Sequence, residues 1–190
     1  DSLGMQCAPS HSSTGGTANA NSQAEPLEYL IGQLAQGWTI VLPDYEGPYS
    51  EYGAGVQAGQ ATLDGIRAAE NFAPLGLAGI KTPVGLWGYS GGALASAWAA
   101  SLQANYAPEL NITGVVSGGT PADVFGVVKN AAGGPFFNLI FCAILGHTRA
   151  YPELIPEGML NDKGMAALES FKHGCVGHHH EEASDPSRIR

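Results

Sequence analysis

Apolar positions along the chain switch between two periods. Leu27, Leu30, Ile31 and Leu34 recur at helical spacing, Pro26 suits a first turn and Gly37 can close it in a left-handed conformation, which predicts a helix over residues 26–36. The run Trp38-Thr39-Ile40-Val41-Leu42 is continuously apolar and β-branched, as in a strand covered on both faces, and Pro43 ends it. A helix from about Gly55 to Phe72 presents Val56, Leu63 and Ile66 beside many Ala and Gly, small residues that let it lie close against a sheet. Val84 to Trp87 reads as a second buried strand, Ala93 to Gln103 as a helix and Ile112 to Val116 as a third strand. Strands alternating with helices from Trp38 to Ser117 predict a parallel sheet of the α/β class.

Beyond Thr120 the pattern changes. Apolar residues at helical spacing run from Val124 through Leu145 and from Met159 through Phe171, so residues 120–175 are predicted to be a helical insertion. Residues 8–24 are small, polar and aperiodic, an irregular surface segment, and residues 178–190 have almost nothing to bury and form a polar, disordered tail.

With 44% hydrophobic and 13% charged residues, the 190-residue chain is globular. Its net charge of −9 repels phosphate backbones, which argues against nucleic acid as a partner. The longest apolar stretch, from Pro135 to Gly146, falls short of the roughly 20 residues of a spanning helix, and no signal-peptide pattern opens the chain at Asp1; it is expected not to be transmembrane and to be mature or internal sequence. Three cysteines without a CxxC spacing suggest one disulfide and one free thiol. Cys142 sits in an apolar run where a thiol acts as a small hydrophobe, which favours a Cys7–Cys175 bond, with three reduced thiols as the alternative.

One motif carries chemistry. Gly88-Tyr89-Ser90-Gly91-Gly92 is a G-x-S-x-G pattern placed directly after a predicted strand and directly before a predicted helix. So tight a turn forces its serine into strained backbone angles and lifts the hydroxyl above the sheet, with glycines at 88 and 92 allowing the turn to pack. Ser90 is thus the expected nucleophile, facing a cleft roofed by residues 120–175. The N–H of Gly91, at a helix N-terminus, is placed to donate to the oxyanion of a tetrahedral intermediate.

Five segments in order, Cys7-Ala8-Pro9-Ser10, Leu42-Pro43-Asp44-Tyr45-Glu46-Gly47, Leu63-Asp64-Gly65-Ile66-Arg67, the 88–92 elbow and Ser117-Gly118-Gly119-Thr120-Pro121, resemble the secretory lipase family over about residues 1–177. The resemblance implies a secreted α/β-hydrolase, a triacylglycerol lipase needing no metal or organic cofactor, that meets its lipid or ester substrate at a lipid–water interface. It implies a core portion at 1–119 and a helical lid or cap inserted at 120–177, ahead of the polar tail at 178–190, which the resemblance does not cover. It also implies that Cys7 and Cys175 are disulfide-bonded and that Asp1 joins Gly91 in the oxyanion hole. In that family the acid and base of the triad follow the lid, so both are expected to lie beyond this sequence, and about eight strands are expected where three are recognisable. The alternative is therefore an inactive, truncated lipase fragment that at most binds acyl chains; a short-chain esterase or acyltransferase is a nearer rival.

The remaining candidates read more plainly. His178 to His180 lie in the polar tail, where nothing would hold them in catalytic register, and His147 and His173 read as surface or capping residues. Asp44 and Glu46 read as turn residues rather than an acid/base pair, and Asp123 as the second half of a helix-start signal around Thr120. Asn111-Ile112-Thr113 matches a glycosylation sequon, disfavoured because Ile112 opens a predicted buried strand. Phe136, Phe137, Leu139, Ile140, Phe141, Ile144 and Leu145 fit equally a lipid-facing surface or a buried lid core.

Overall fold

A computed structural model describes residues 7–10, 30–131, 134, 136–154, 158 and 160–172. Helix α1 (Gly55–Glu70) leads through two short 3-10 turns to strand β1 (Val84–Tyr89), helix α2 (Gly91–Tyr106) and strand β2 (Ile112–Gly118). Helices α3 (Val124–Ala131), α4 (Asn138–Ala150) and α5 (Asp162–Phe171) follow. The strands pair in parallel, Leu86 opposite Val115 and Trp87 opposite Val116, with α2 as the crossover.

Burial in β1 alternates: Leu86 is inside while Trp87 and Tyr89 are exposed. Leu86 meets Leu63 and Ile66 of α1, Ala99 of α2, and Ala107 and Leu110 beyond it, forming the core of the βαβ unit. Helices α1 and α2 approach closely because two glycines remove the obstacle. A Cβ on Gly55 would lie 1.9 Å from the Trp98 indole nitrogen, and one on Gly59 2.8 Å from the Trp98 backbone. The small residues expected to seat α1 on the sheet thus seat it on α2, and Val56 faces out.

The expected strand Trp38–Leu42 is a correction. Residues 38–44 form no ladder, and Trp38, Val41 and Leu42 are exposed. A doubly covered strand needs neighbours on its edges, and among the described residues the sheet has two strands, both bonded to each other. The segment instead leans on α1, where a Cβ on Gly65 would lie 3.1 Å from Pro43 Cβ. Upstream, residues 30–34 are helical and Gly37 closes the turn at φ 81°. Its N–H donates to Leu34 O and that of Trp38 to Gln33 O. Residues 11–29 and the tail at 178–190 lie outside the described residues.

A second core fills the helical region. Phe137, Ile140, Phe141, Cys142, Leu145, Ala167, Leu168 and Phe171 are buried together, with Phe141 stacked on Phe171 at 5.7 Å and edge-on to Phe137 at 5.6 Å. Of the aromatic run, Phe136 alone is exposed, which makes the run mainly core. Helix α3 begins at Asp123, whose carboxylate accepts from Gly126 N–H at 3.0 Å. Asp123 is thus the N-cap itself rather than the distal half of a box on Thr120. Asn161 caps α5 in the same way through Gly164 N–H.

Candidate active site

β1 runs into α2 with one residue between them. That residue, Ser90, has φ 52° and ψ −113°; with Ser50 it is one of two described non-glycine residues at positive φ. Such a conformation costs on the order of 1–3 kcal/mol and persists where its surroundings hold it. Two backbone bonds do so. Ser90 N–H donates to Gly118 O at the end of β2 (2.9 Å), and Ser90 O accepts the N–H of Leu94 in the first turn of α2 (3.0 Å).

The glycines of the motif are unequal. A Cβ on Gly88 would lie 2.1 Å from Gly92 O, closer than atoms can approach, whereas one on Gly92 would meet nothing within 4 Å. The turn thus requires Gly88 for packing, and Gly92 only as a backbone. Gly118 and Gly119 pass under the Tyr89 ring, where their Cβ atoms would lie 2.9 and 3.2 Å from it. The Tyr89 ring, otherwise exposed, thus lies over the chain where it leaves β2.

Ser90 is exposed, in contrast to the roofed cleft expected of it. Gly91 opens α2, where backbone N–H groups lack intrahelical partners and the helix dipole is positive. No acidic residue occupies the first turn to neutralise that end. The turn can therefore present a hydroxyl and a hydrogen-bond donor to one small group.

Asp1 and Cys175 lie outside the described residues, as do His173 and His178 to His180. Cys7 is buried and disulfide-bonded. Cys142 is a free thiol with no exposed surface, and burial pushes its pKa up to about 12. His147, the one histidine among the described residues, pairs through Nδ1 with Ala143 O at 2.8 Å and packs beside Gly53 and Tyr151, as a helix-side residue does. Asp44 accepts from both the N–H and the hydroxyl of Ser10, and Glu46 is buried in the turn after Pro43, so both acids shape the loop. Burial, reinforced by the charge of Glu46, also raises the phenol pKa of Tyr45.

Two arrangements join residues far apart in sequence. Arg67 donates to Glu109 (2.6 Å), Asp64 (2.8 Å) and Tyr106 O (2.7 Å), and the Tyr106 hydroxyl donates to Asp64 (2.8 Å), so the end of α2 is tied to α1. The Glu109 bond, then the Asp64 bond, raises the Arg67 pKa. Arg149 of α4 donates to Tyr49 O (2.8 Å), Ser50 O (3.2 Å) and Lys172 O (3.2 Å), fastening the helical region to the loop that contains the second strained serine. A lone Arg on a helix says nothing of carbonyls a hundred residues away. Among the described residues, no helix is long and apolar enough to cross a membrane.

Residues 15–182 match the family described as secretory lipase. A secreted triacylglycerol lipase of Malassezia furfur is 41% identical over 181 residues, covering 93% of this chain and 47% of the relative. Lipase 2 of Candida albicans is 38% identical over 178 residues, covering 92% of this chain and 38% of the relative. The X-ray structure of Candida antarctica lipase A superposes with a TM-score of 0.85 at 34% identity, over 100% of this chain and 46% of that one. The chain thus spans about half the length, or less, of the relatives it matches.

Proposed function

The chain belongs to the secretory lipase family, and from that premise we propose that it carries the nucleophile of an extracellular carboxylic-ester hydrolase acting on triacylglycerols. The observation that carries the reading is the backbone of Ser90, held at positive φ between a parallel strand and the helix that follows. The Ser90 oxygen bonds to the acyl carbon while its proton passes to a base, and the N–H of Gly91, with the loop near Asp1, stabilises the oxyanion. The carbon–alkoxide bond then breaks, the base returns the proton to the leaving alcohol, and water cleaves the acyl-enzyme. Cys7 and Cys175 are the proposed disulfide pair, a reading supported by the buried free thiol at Cys142. Helices α3 to α5 are the proposed lid, with exposed Val124, Val127, Phe136 and Met165 as candidates to meet lipid.

A second reading, a chain that binds acyl groups without turning them over, draws on the surroundings of His147. The one described histidine is engaged with Ala143 and Tyr151, so among the described residues no histidine is free to serve Ser90 as a base. One experiment separates the two. On the second reading the 190 residues alone should hydrolyse p-nitrophenyl esters only slightly above background, because an oxyanion hole and binding without a base leave about 10³–10⁴-fold over water. Adding a family-like C-terminal segment with an Asp and a His should raise the rate by several orders of magnitude, and Ser90→Ala should then remove the gain. Turnover by the 190 residues at about 1–10³ s⁻¹ would place a base within them.

A further inference from the structure

Asn111-Ile112-Thr113 is the one N-x-Ser/Thr sequon in the 190 residues. Its middle residue would argue against use if it buried its neighbours, but the strand separates them. Ile112 points to the helix-covered face, against the cluster of Leu86 and Ala99, while Asn111 and Thr113 on either side are exposed, as alternation along a strand requires. Asn111 ends a short turn whose Ala107 and Leu110 are buried and whose Pro108 and Glu109 are exposed. The backbone there is held, since Asn111 O accepts Val84 N–H at 3.0 Å, but the side-chain amide makes no hydrogen bond to the described residues. At Thr113 the register of β1 and β2 slips, and its hydroxyl donates to Val84 O at 3.2 Å.

We infer that Asn111 is an N-glycosylation site, modified when the chain passes through a eukaryotic secretory pathway. The co-reactant is a polyprenyl-diphosphate-linked oligosaccharide. The Asn111 amide nitrogen bonds to the anomeric carbon of its first sugar, the carbon–oxygen bond to diphosphate breaks, and the amide loses one proton as the polyprenyl diphosphate leaves. The glycan stands clear of the elbow. Asn111 lies beside Val84 at the start of β1 and Ser90 follows its end, roughly 20 Å away at the rise of a strand. A bulky polar group is thus tolerated without covering the serine.

The inference rests on the extracellular destination proposed above, not on ester hydrolysis. The test expresses the chain behind a cleavable leader in a secreting yeast, analysing cells and medium by peptide mass spectrometry with and without an N-glycan endoglycosidase. The expected result is a hexose-bearing peptide containing Asn111 and a mobility shift that the enzyme removes. Asn111→Gln and Thr113→Ala should both lack the shift, and Thr113→Ser should keep it. An unmodified Asn111 in chains whose leader has been cleaved would overturn the site. Absence of the native gene product from the medium of its own host would instead count against the extracellular destination.

Discussion

Two cores hold this molecule, and they are built in opposite ways. Around the elbow, packing depends on side chains that are absent. Gly55 and Gly59 admit Trp98, and Gly88 lets its strand pass against Gly92 O. In the helical region packing depends on side chains that are large, with Phe137, Phe141 and Phe171 meeting ring to ring and almost fully buried. The first arrangement fixes backbone, which a nucleophile at positive φ requires. The second fills volume around apolar side chains, which suits a region that need not hold backbone geometry as tightly.

The comparison predicts unequal responses to single substitutions. Gly88→Ala should do most damage, because the clash is with backbone that cannot rotate away; a loss above about 4 kcal/mol, seen as failure to give soluble folded protein, is expected. Phe141→Ala should destabilise by about 3–5 kcal/mol in denaturant titration. Hydrogen exchange should then rise in residues 138–171 before it rises in β1 and β2. Gly92→Ala should do least, changing stability by under about 1 kcal/mol and in the stabilising direction, since Ala favours the helix and its methyl meets nothing. A Gly92→Ala protein as unstable as Gly88→Ala would erase the distinction between the two glycines.

Local signals were legible in the residues themselves. The elbow could be read because strand, glycines and helix follow one another within a few positions, and Gly37 closes its helix as its place after Leu34 implies. What escaped depends on neighbours remote in sequence. Trp38 to Leu42 has the composition of a buried strand, but a strand exists only through a partner, and composition names none. Val56 was expected inward because it is apolar, whereas Trp98 selects the glycine face of α1. The spacing of Thr120 and Asp123 puts the helix start one turn too early, at Thr120, whereas Asp123 is the cap. Arg149 had no local signal at all, its partners being carbonyls at 49, 50 and 172.

The central claim is that Ser90 is the nucleophile, and a covalent label tests it most directly. A lipophilic fluorophosphonate should react with the complete gene product, the serine oxygen bonding to phosphorus as fluoride leaves. Peptide mass spectrometry should then find the phosphonyl group on the peptide containing Ser90. Ser90→Ala should remain unlabelled and lose ester hydrolysis while keeping its melting temperature. Labelling at another serine, or ester turnover by a folded Ser90→Ala protein at the rate of the unsubstituted one, would contradict the account.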